Sequence, residues 1–184
     1  MDLIEAIKGR RSIRNYTDEP VTDEELEFIF EAARWAPSWA NTQCWEFIVV
    51  RDPEMKEKLA ETLTTKNPAR KAFSQAPVVL VACAQKGKSG YYEGEPATER
   101  GDNWLMFDTA LAVHNLMLAA YSIGLGTVHV GLFDFKKAEE ILGLPPEYTV
   151  VELIPLGHPA REGKAPPRKE VREFVSYEKF GNKR

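Results

Sequence analysis

The sequence contains few of the residues from which metal sites and disulfide frameworks are built. Its two cysteines, Cys44 and Cys83, form neither a CxxC pair nor a disulfide framework. Its three histidines lack metal-ligand spacing, and no HExxH motif occurs. Reduced thiols favour a cytoplasmic protein, and we expect no metal.

Long hydrophobic runs and familiar catalytic motifs are also missing. The longest apolar runs are far shorter than the ~20 residues of a membrane-spanning helix, and the N-terminus lacks the pattern of a secretion signal. No P-loop, GxSxG motif or catalytic pair of carboxylates occurs, so no side chain stands out as acid, base or nucleophile. An enzyme with this sequence would therefore depend on a bound cofactor.

The composition is that of a single globular domain. The chain has 184 residues, of which 43% are hydrophobic and 28% charged, and at ~150 residues per domain this predicts one domain over residues 1–184. The net charge of −4 disfavours nucleic-acid and membrane partners. Basic residues are grouped near the two ends: Arg10, Arg11 and Arg14, then Arg161, Lys164, Arg168 and Lys169. Such local groups on an acidic protein favour a small anionic ligand.

Capping boxes and apolar periodicity predict an α+β fold, a mixed, mainly antiparallel sheet flanked by helices. We expect helices over 2–9, 22–36, 52–63, 104–123 and 134–142, and strands over 47–50, 77–84, 127–130 and 149–156. The helix from Trp104 is apolar almost all round, which predicts a long central helix or one that lies against a second subunit.

Two segments fall outside this pattern. Residues 86–102 are rich in Gly, Glu and Lys, which predicts a mobile surface segment. The extension over 160–184 is polar and basic but contains Phe174, Tyr177 and Phe180. These aromatic residues indicate that the extension docks on another surface.

The first candidate site is the run Arg10-Arg-Ser-Ile-Arg14. Two or three guanidinium groups and a hydroxyl form a donor array suited to phosphate. In an extended chain, Arg10, Ser12 and Arg14 would share one side while Ile13 enters the core. The alternative is a solvated basic turn that caps the C-terminus of the first helix.

The second candidate is the loop over residues 37–43. Asn41 and Gln43 carry donors and acceptors that could recognise the edge of a heterocycle, and Trp39 and Trp45 supply flat apolar walls. The alternative is a rigid loop whose amides bind its own backbone. Cys44 lies beside this loop but has no evident base with which to act as a nucleophile.

The third candidate is the glycine-rich segment over 124–131. It fails the GxGxxG fingerprint, because His129 stands where the third glycine belongs and the segment follows a helix. A Rossmann dehydrogenase is therefore disfavoured. The glycines still permit close approach of a ligand to the backbone.

Together these motifs resemble the FMN-dependent nitroreductase family along nearly the whole chain. The resemblance is carried by the order and spacing of seven features: Arg10–Tyr16, Ala36–Trp45, Ala76–Val81, Asp108, Gly124–Gly126, Gly157–Pro159 and Arg168. It implies a nitroreductase-like FMN fold and a homodimer with two FMN sites at the subunit interface. The apolar helix from Trp104 would form much of that interface, the extension would dock on the partner, and 86–102 would be a mobile lid.

The same resemblance implies which residues bind FMN. The phosphate and ribityl chain would be held by Arg10, Arg11, Ser12, Arg14, Arg168 and Lys169. The ring would meet Asn67 and the backbone amides of Val130 and Gly131. Four residues of the partner subunit would line it: Pro37, Ser38, Trp39 and Asn41.

The activity implied is reduction of nitroaromatics, quinones or related electrophiles with NAD(P)H, by a ping-pong two-electron mechanism at flavin N5. Within the same fold, a specialised reductase or dehalogenase is the alternative. A flavin-binding protein without turnover and a cofactor-free binder of nucleic acid are alternatives from other classes. The motif leaves the acceptor and the choice between NADH and NADPH open, and Cys44 stands where the family has a proline.

Overall fold

The computed structural model describes all residues 1–184 as an α+β fold built on a four-stranded sheet. The strands are β1 Trp45–Val50, β2 Val78–Gln85, β3 Tyr91–Tyr92, β4 Glu95–Pro96, β5 Gly126–Thr127 and β6 Tyr148–Gly157. The helices are α1 Leu3–Gly9, α2 Asp23–Arg34, α3 Pro53–Glu61, α4 Arg70–Gln75, α5 Asn103–Ser122, α6 Phe135–Leu142 and α7 Val171–Phe174.

The main sheet has the order β1-β2-β6-β5, and all of its neighbouring strands are antiparallel. The expected mixed character is reduced to one isolated parallel bridge between Ser12 and Thr127. The strand expected over 127–130 is also shorter than predicted: β5 ends at Thr127, and Val130 forms only an isolated bridge to Leu153.

The core lies on both faces of this sheet. One cluster packs α2 and α5 against inward residues such as Leu80 and Ile154. The other packs α3, α4 and α6 against their neighbours Val79 and Leu153. Because β2 and β6 are covered on both faces, their sequences are nearly continuous apolar runs.

Local signals in the sequence set the helix ends. Asp2 and Thr22 form the expected capping boxes at α1 and α2. After α5 the chain turns through Gly124, whose φ of 89° is a conformation that favours glycine. The helix α4, the short hairpin β3–β4 and α7 have no counterpart among the predicted elements. None of the helices combines the length and apolar composition needed to cross a bilayer.

Gly126 lets the basic segment lie against the sheet. A Cβ atom built at this residue would lie 2.7 Å from Cγ1 of Ile13, a contact that would force Ile13 and its neighbours outward. We expect Gly126→Ala to lower the free energy of unfolding by about 1–3 kcal/mol, measured by urea denaturation. Gly131→Ala is the control, because nothing lies within 4 Å of the corresponding Cβ position. Equal stability of the two variants would contradict this close packing.

Candidate functional site

The basic segment leaves α1 and runs beside β5. The Ile13 N–H donates to the Thr127 carbonyl at 2.9 Å, and Ile13 is buried, as the alternation predicts. The segment is thereby fixed to the sheet edge. Its guanidinium groups are presented from a rigid backbone, not from a free loop.

Arg10 and Arg11 play different parts. The Nη1 atom of Arg10 is buried and has no hydrogen-bond partner, and Arg10 lines a cavity of about 580 Å³ with Tyr121 and Gly124. Arg11 instead donates through Nη1 to the carbonyls of Lys8 (2.6 Å) and Arg10 (2.8 Å). Arg11 therefore fits the helix-capping alternative, whereas Arg10 keeps a buried donor from which a bound anion could accept a hydrogen bond.

The surroundings of Arg10 are electropositive. Burial, and then the charges of Arg11 and Arg168, lower the pKa of Arg10. Glu162 is the one acidic side chain among the residues that line the cavity. An anion in this cavity would relieve the repulsion among the arginines.

Ser12 and Arg14 line an adjoining cavity of about 350 Å³, together with Arg161 and Lys164. From the C-terminal extension, Arg168 donates only weakly, at 3.3 Å, to the carbonyls of Pro166 and Pro167. Lys169 is exposed and makes no hydrogen bond or ion pair in the structure. The two ends of the chain thus supply one basic region.

Backbone amides are available a few residues beyond β5. The Val130 N–H donates to the Leu153 carbonyl at 3.0 Å, which corrects the expectation that this amide faces a ligand. The N–H groups of Gly131 and Leu132 have no acceptor within the protein. Asn67 lies beside them, because its Nδ2 donates to the Leu132 carbonyl at 3.2 Å. The free pair is therefore Gly131 and Leu132, one residue later than predicted.

The loop over 37–43 holds an unusual backbone. Ala40, Asn41 and Gln43 have positive φ, and the Gln43 N–H donates to Ser38 Oγ at 2.9 Å. Gln43 Nε2 also donates to Asn41 Oδ1 at 3.2 Å. The side-chain amides of Asn41 and Gln43 therefore bind one another, and not the loop backbone as the rigid-loop alternative proposes, while Pro37 and Asn41 remain exposed.

A buried carboxylate anchors this loop to α5. Asp108 is 1% exposed and accepts from the Trp39 N–H at 2.9 Å and from Ser89 Oγ at 2.6 Å. Ser89 is also 2.6 Å from Thr42 Oγ1. One carboxylate thus ties the loop to the segment that leads into β3.

Asp108→Ala would leave the Trp39 N–H and the Ser89 hydroxyl buried without this acceptor. We expect a loss of about 3 kcal/mol in the free energy of unfolding, measured by urea denaturation. Asp102→Ala is the matched control, since Asp102 is exposed and accepts from the Gly87 N–H without being buried. Equal losses in the two variants would argue against the anchor.

The segment over 86–102 forms the hairpin β3–β4 and contacts the same loop. The ring of Trp39 lies 4.8 Å from Trp104 and 5.8 Å from Tyr92, measured between centroids. The Nε1 atom of Trp39 is buried without a partner. These aromatic rings form one wall beside the loop; the mobility of the segment stays a prediction.

The basic segment and the loop lie at opposite ends of α5. The loop is held at Asp108, while the Arg10 cavity includes Tyr121. Thirteen residues separate these positions on the helix, about 20 Å at 1.5 Å per residue. A single chain therefore keeps the two halves of the predicted FMN site apart.

The cysteines and histidines occupy different environments. Burial raises the pKa of Cys44 and raises that of Cys83 to about 12, so neither thiol is activated. His129 Nδ1 lies 2.6 Å from Glu152 Oε2. Burial, and then the charges of Arg10 and His129, lower the pKa of His114. No group of three or more His, Cys, Asp or Glu side chains could hold a metal ion.

Sequence reasoning missed three features of the site. The Leu132 amide carries no sequence signal, because it depends on which strand residues pair with β6. Ser89 lies in a polar segment that looks unstructured. Glu152 did have a signal: it is the one charged residue in the apolar run Thr149–Leu156.

Comparison with known proteins gives a consistent result. The model of the Nitroreductase family matches residues 7–158. The chain is 34% identical over 177 residues to "FMN reductase [NAD(P)H]" of Bacillus subtilis, which covers 91% of this chain and 70% of that protein. It is 33% identical over 169 residues to "Oxygen-insensitive NADPH nitroreductase" of Salmonella typhimurium, and the match covers 90% of this chain and 69% of that protein. A protein of Exiguobacterium sibiricum solved in complex with FMN superimposes with a TM-score of 0.84 at 25% identity, covering 96% and 97%.

Proposed function

Because the chain belongs to the nitroreductase family, we propose that it is a homodimeric FMN enzyme that uses NAD(P)H to reduce nitroaromatics, quinones or related electrophiles. It is an NAD(P)H-dependent oxidoreductase with FMN as its cofactor, as the names of its relatives and the FMN-bound neighbour indicate. The range of acceptors and the ping-pong order of the reaction are our proposal.

The observation that carries the proposal is the buried Nη1 of Arg10, which has no hydrogen-bond partner and belongs to a side chain that lines a cavity. A buried cationic donor of this kind needs an anionic acceptor, and a phosphate monoester supplies one. Ser12, Arg14 and Arg168 lie in the same basic region and would complete the phosphate site, with Arg11 and Lys169 adding charge.

The ring of FMN would be held by backbone and amide groups. The free N–H groups of Gly131 and Leu132 suit the acceptor atoms N5 and O4 of the ring, and Asn67 lies beside them. When bound, FMN supplies two-electron chemistry, taking a hydride from NAD(P)H and passing it to the acceptor in a ping-pong cycle. The protein's own contribution is to bind, orient and shield the reacting partners.

A second copy of the chain would complete each site. On α5, Met106 and Phe107 are 49% and 56% exposed, and Ala110 and His114 continue this exposed stripe. Two such stripes packed antiparallel about a two-fold axis would bury apolar area reciprocally. The arginines of one subunit would then face residues 37–41 of the other.

The C-terminal extension fits the same assembly. Phe174 and Phe180 are 63% and 102% exposed in the single chain. An apolar groove of about 290 Å³ lies along β1 and α2, lined by Phe30, Trp45 and Phe47 among others. We propose that the extension of one subunit covers this groove on the other, which would bury both exposed sets.

The proposal is tested by an anaerobic redox cycle. The protein is incubated with FMN, freed of excess, and reduced with NADH or NADPH while the visible spectrum is recorded. We expect the flavin band to bleach and to return on addition of menadione or a nitroaromatic, with continued NAD(P)H consumption. A bound flavin that NAD(P)H does not bleach would favour the flavin-binding protein without turnover, and no bound flavin would refute the proposal.

A further inference from the structure

Glu152 is a carboxylate inside an otherwise apolar strand. It is 9% exposed, while its neighbours Leu153 and Ile154 are fully buried. An ionised group in such a place is costly unless it is paired. Glu152 therefore needs a partner, and the fold keeps this carboxylate at some cost in stability.

The partner of Glu152 is His129. His129 Nδ1 lies 2.6 Å from Glu152 Oε2, the distance of a strong charge-assisted hydrogen bond. With Nδ1–H donating to the carboxylate, the ring is fixed and Nε2 is the nitrogen free to gain or release a proton.

His129 lies between the two ends of the proposed FMN site. Two residues before it, Thr127 lines the Arg10 cavity; two residues after it, Gly131 has a free N–H. Each is at most about 7 Å from His129 along the chain. The intervening Val128 and Val130 are buried in the core against α3 and α6. Because side chains alternate along an extended chain, His129 lies on the opposite side of this segment.

The charged and titratable groups around His129 come from three elements. Glu152 of β6 is hydrogen-bonded to His129, His114 of α5 is affected by the charge of His129, and Arg10, from the segment after α1, acts on His114. Among these, Glu152 is the only anion. His158 lies elsewhere, 3.8–3.9 Å from Glu19 and Glu25.

We infer that His129, positioned by Glu152, takes up a proton at Nε2 when the flavin ring gains negative charge on two-electron reduction. The inference rests on the proposed FMN function and adds a redox-linked proton site to it. The fixed arginines would hold the phosphate permanently, whereas the His129–Glu152 pair would supply the charge that changes with the redox state.

The step balances in atoms and charge. A hydride from NAD(P)H brings two electrons and one proton to the ring, and one negative charge is added. A solvent proton binds Nε2 of His129 and forms imidazolium. When the acceptor takes the hydride away, Nε2 releases that proton to solvent or to the acceptor oxygen; no side chain is oxidised or reduced.

The reduction potential of bound FMN tests this directly. For a two-electron couple, a tenfold change in equilibrium constant corresponds to about 30 mV, so each proton taken up contributes about 30 mV per pH unit. Around pH 7 we expect a slope of about 60 mV per pH unit for the wild type and about 30 mV for His129→Gln. The slope for Glu152→Gln should fall toward the lower value. His158→Gln is the control, which should keep the wild-type slope.

Nitrogen NMR supplies an independent readout on protein labelled at its three histidines. In the apoprotein, His129 should carry a proton on Nδ1, and Glu152→Gln should alter that signal. In the holoprotein at pH 7, photoreduction should shift the Nε2 signal of His129 to that of a protonated nitrogen.

Several results would overturn the inference. One is an Nε2 signal of His129 that does not change on reduction. Another is a reduction potential of His129→Gln that depends on pH as steeply as that of the wild type. The third is a loss of steepness in His114→Gln instead. If the wild type binds FMN and is reduced by NAD(P)H but gives one of these results, only the His129 role fails. If it binds no FMN, the inference and the proposed function fail together.

Discussion

Replacing Arg10 with alanine is expected to weaken FMN binding about 100-fold. Hydrogen bonds to charged groups contribute roughly 1.5–3 kcal/mol each, and 1.4 kcal/mol is a factor of ten in affinity. One bond from the buried Nη1 to phosphate, near the upper end of this range, would therefore account for this loss. The measurement is a fluorescence titration of the apoprotein with FMN.

Arg11→Ala is the matched control for Arg10→Ala. Both variants remove one positive charge from adjacent positions, but the Arg11 guanidinium is already bound to the carbonyls of Lys8 and Arg10. We expect a much smaller loss of FMN affinity in Arg11→Ala. Riboflavin, which lacks the phosphate, should bind Arg10→Ala and wild type about equally. Equal effects of the two substitutions on FMN would refute the division of roles between these arginines.

Placing an arginine at Ala110 is expected to separate the subunits and remove FMN at the same time. Ala110 lies in the middle of the exposed stripe on α5, and a two-fold axis would put two copies of the new charge into one apolar interface. Because each site would need residues from both chains, we expect FMN affinity to fall at least 100-fold in the monomer. Sedimentation and FMN titration on the same sample measure both effects.

The control is Gln75→Arg, which adds the same charge at an exposed position on α4. This variant should remain dimeric and bind FMN as the wild type does. A monomeric Ala110→Arg protein that binds FMN with wild-type affinity would show that one chain is sufficient for the site. That result would contradict the shared site while leaving the fold unaffected.

Much of the fold follows from local signals in the sequence. The capping boxes at Asp2 and Thr22 and the stop at Gly143 mark helix ends, and continuous apolar runs mark the strands buried on both faces. The hairpin β3–β4 has no such signal, because it is held by contacts between residues distant in sequence, Trp39 with Tyr92 and Ser89 with Asp108.

The site was less predictable than the fold. The charge pattern identifies Arg10, Ser12 and Arg14, yet it does not separate Arg10 from Arg11, since only the path of the chain after α1 decides which guanidinium meets carbonyls. The free amides are those of Gly131 and Leu132, and not the predicted Val130 and Gly131, for a similar reason. A single strand bridge between Val130 and Leu153 decides which amides are free.

The central claim is that FMN binds at sites shared by two copies of the chain, and light scattering with simultaneous visible absorbance after size exclusion tests it most directly. For a chain of 20.8 kDa, the account predicts that the flavin absorbance elutes with a species of twice that mass and one FMN per chain. A species of one chain's mass that carries a full complement of FMN would contradict the account, as would a dimer that carries none.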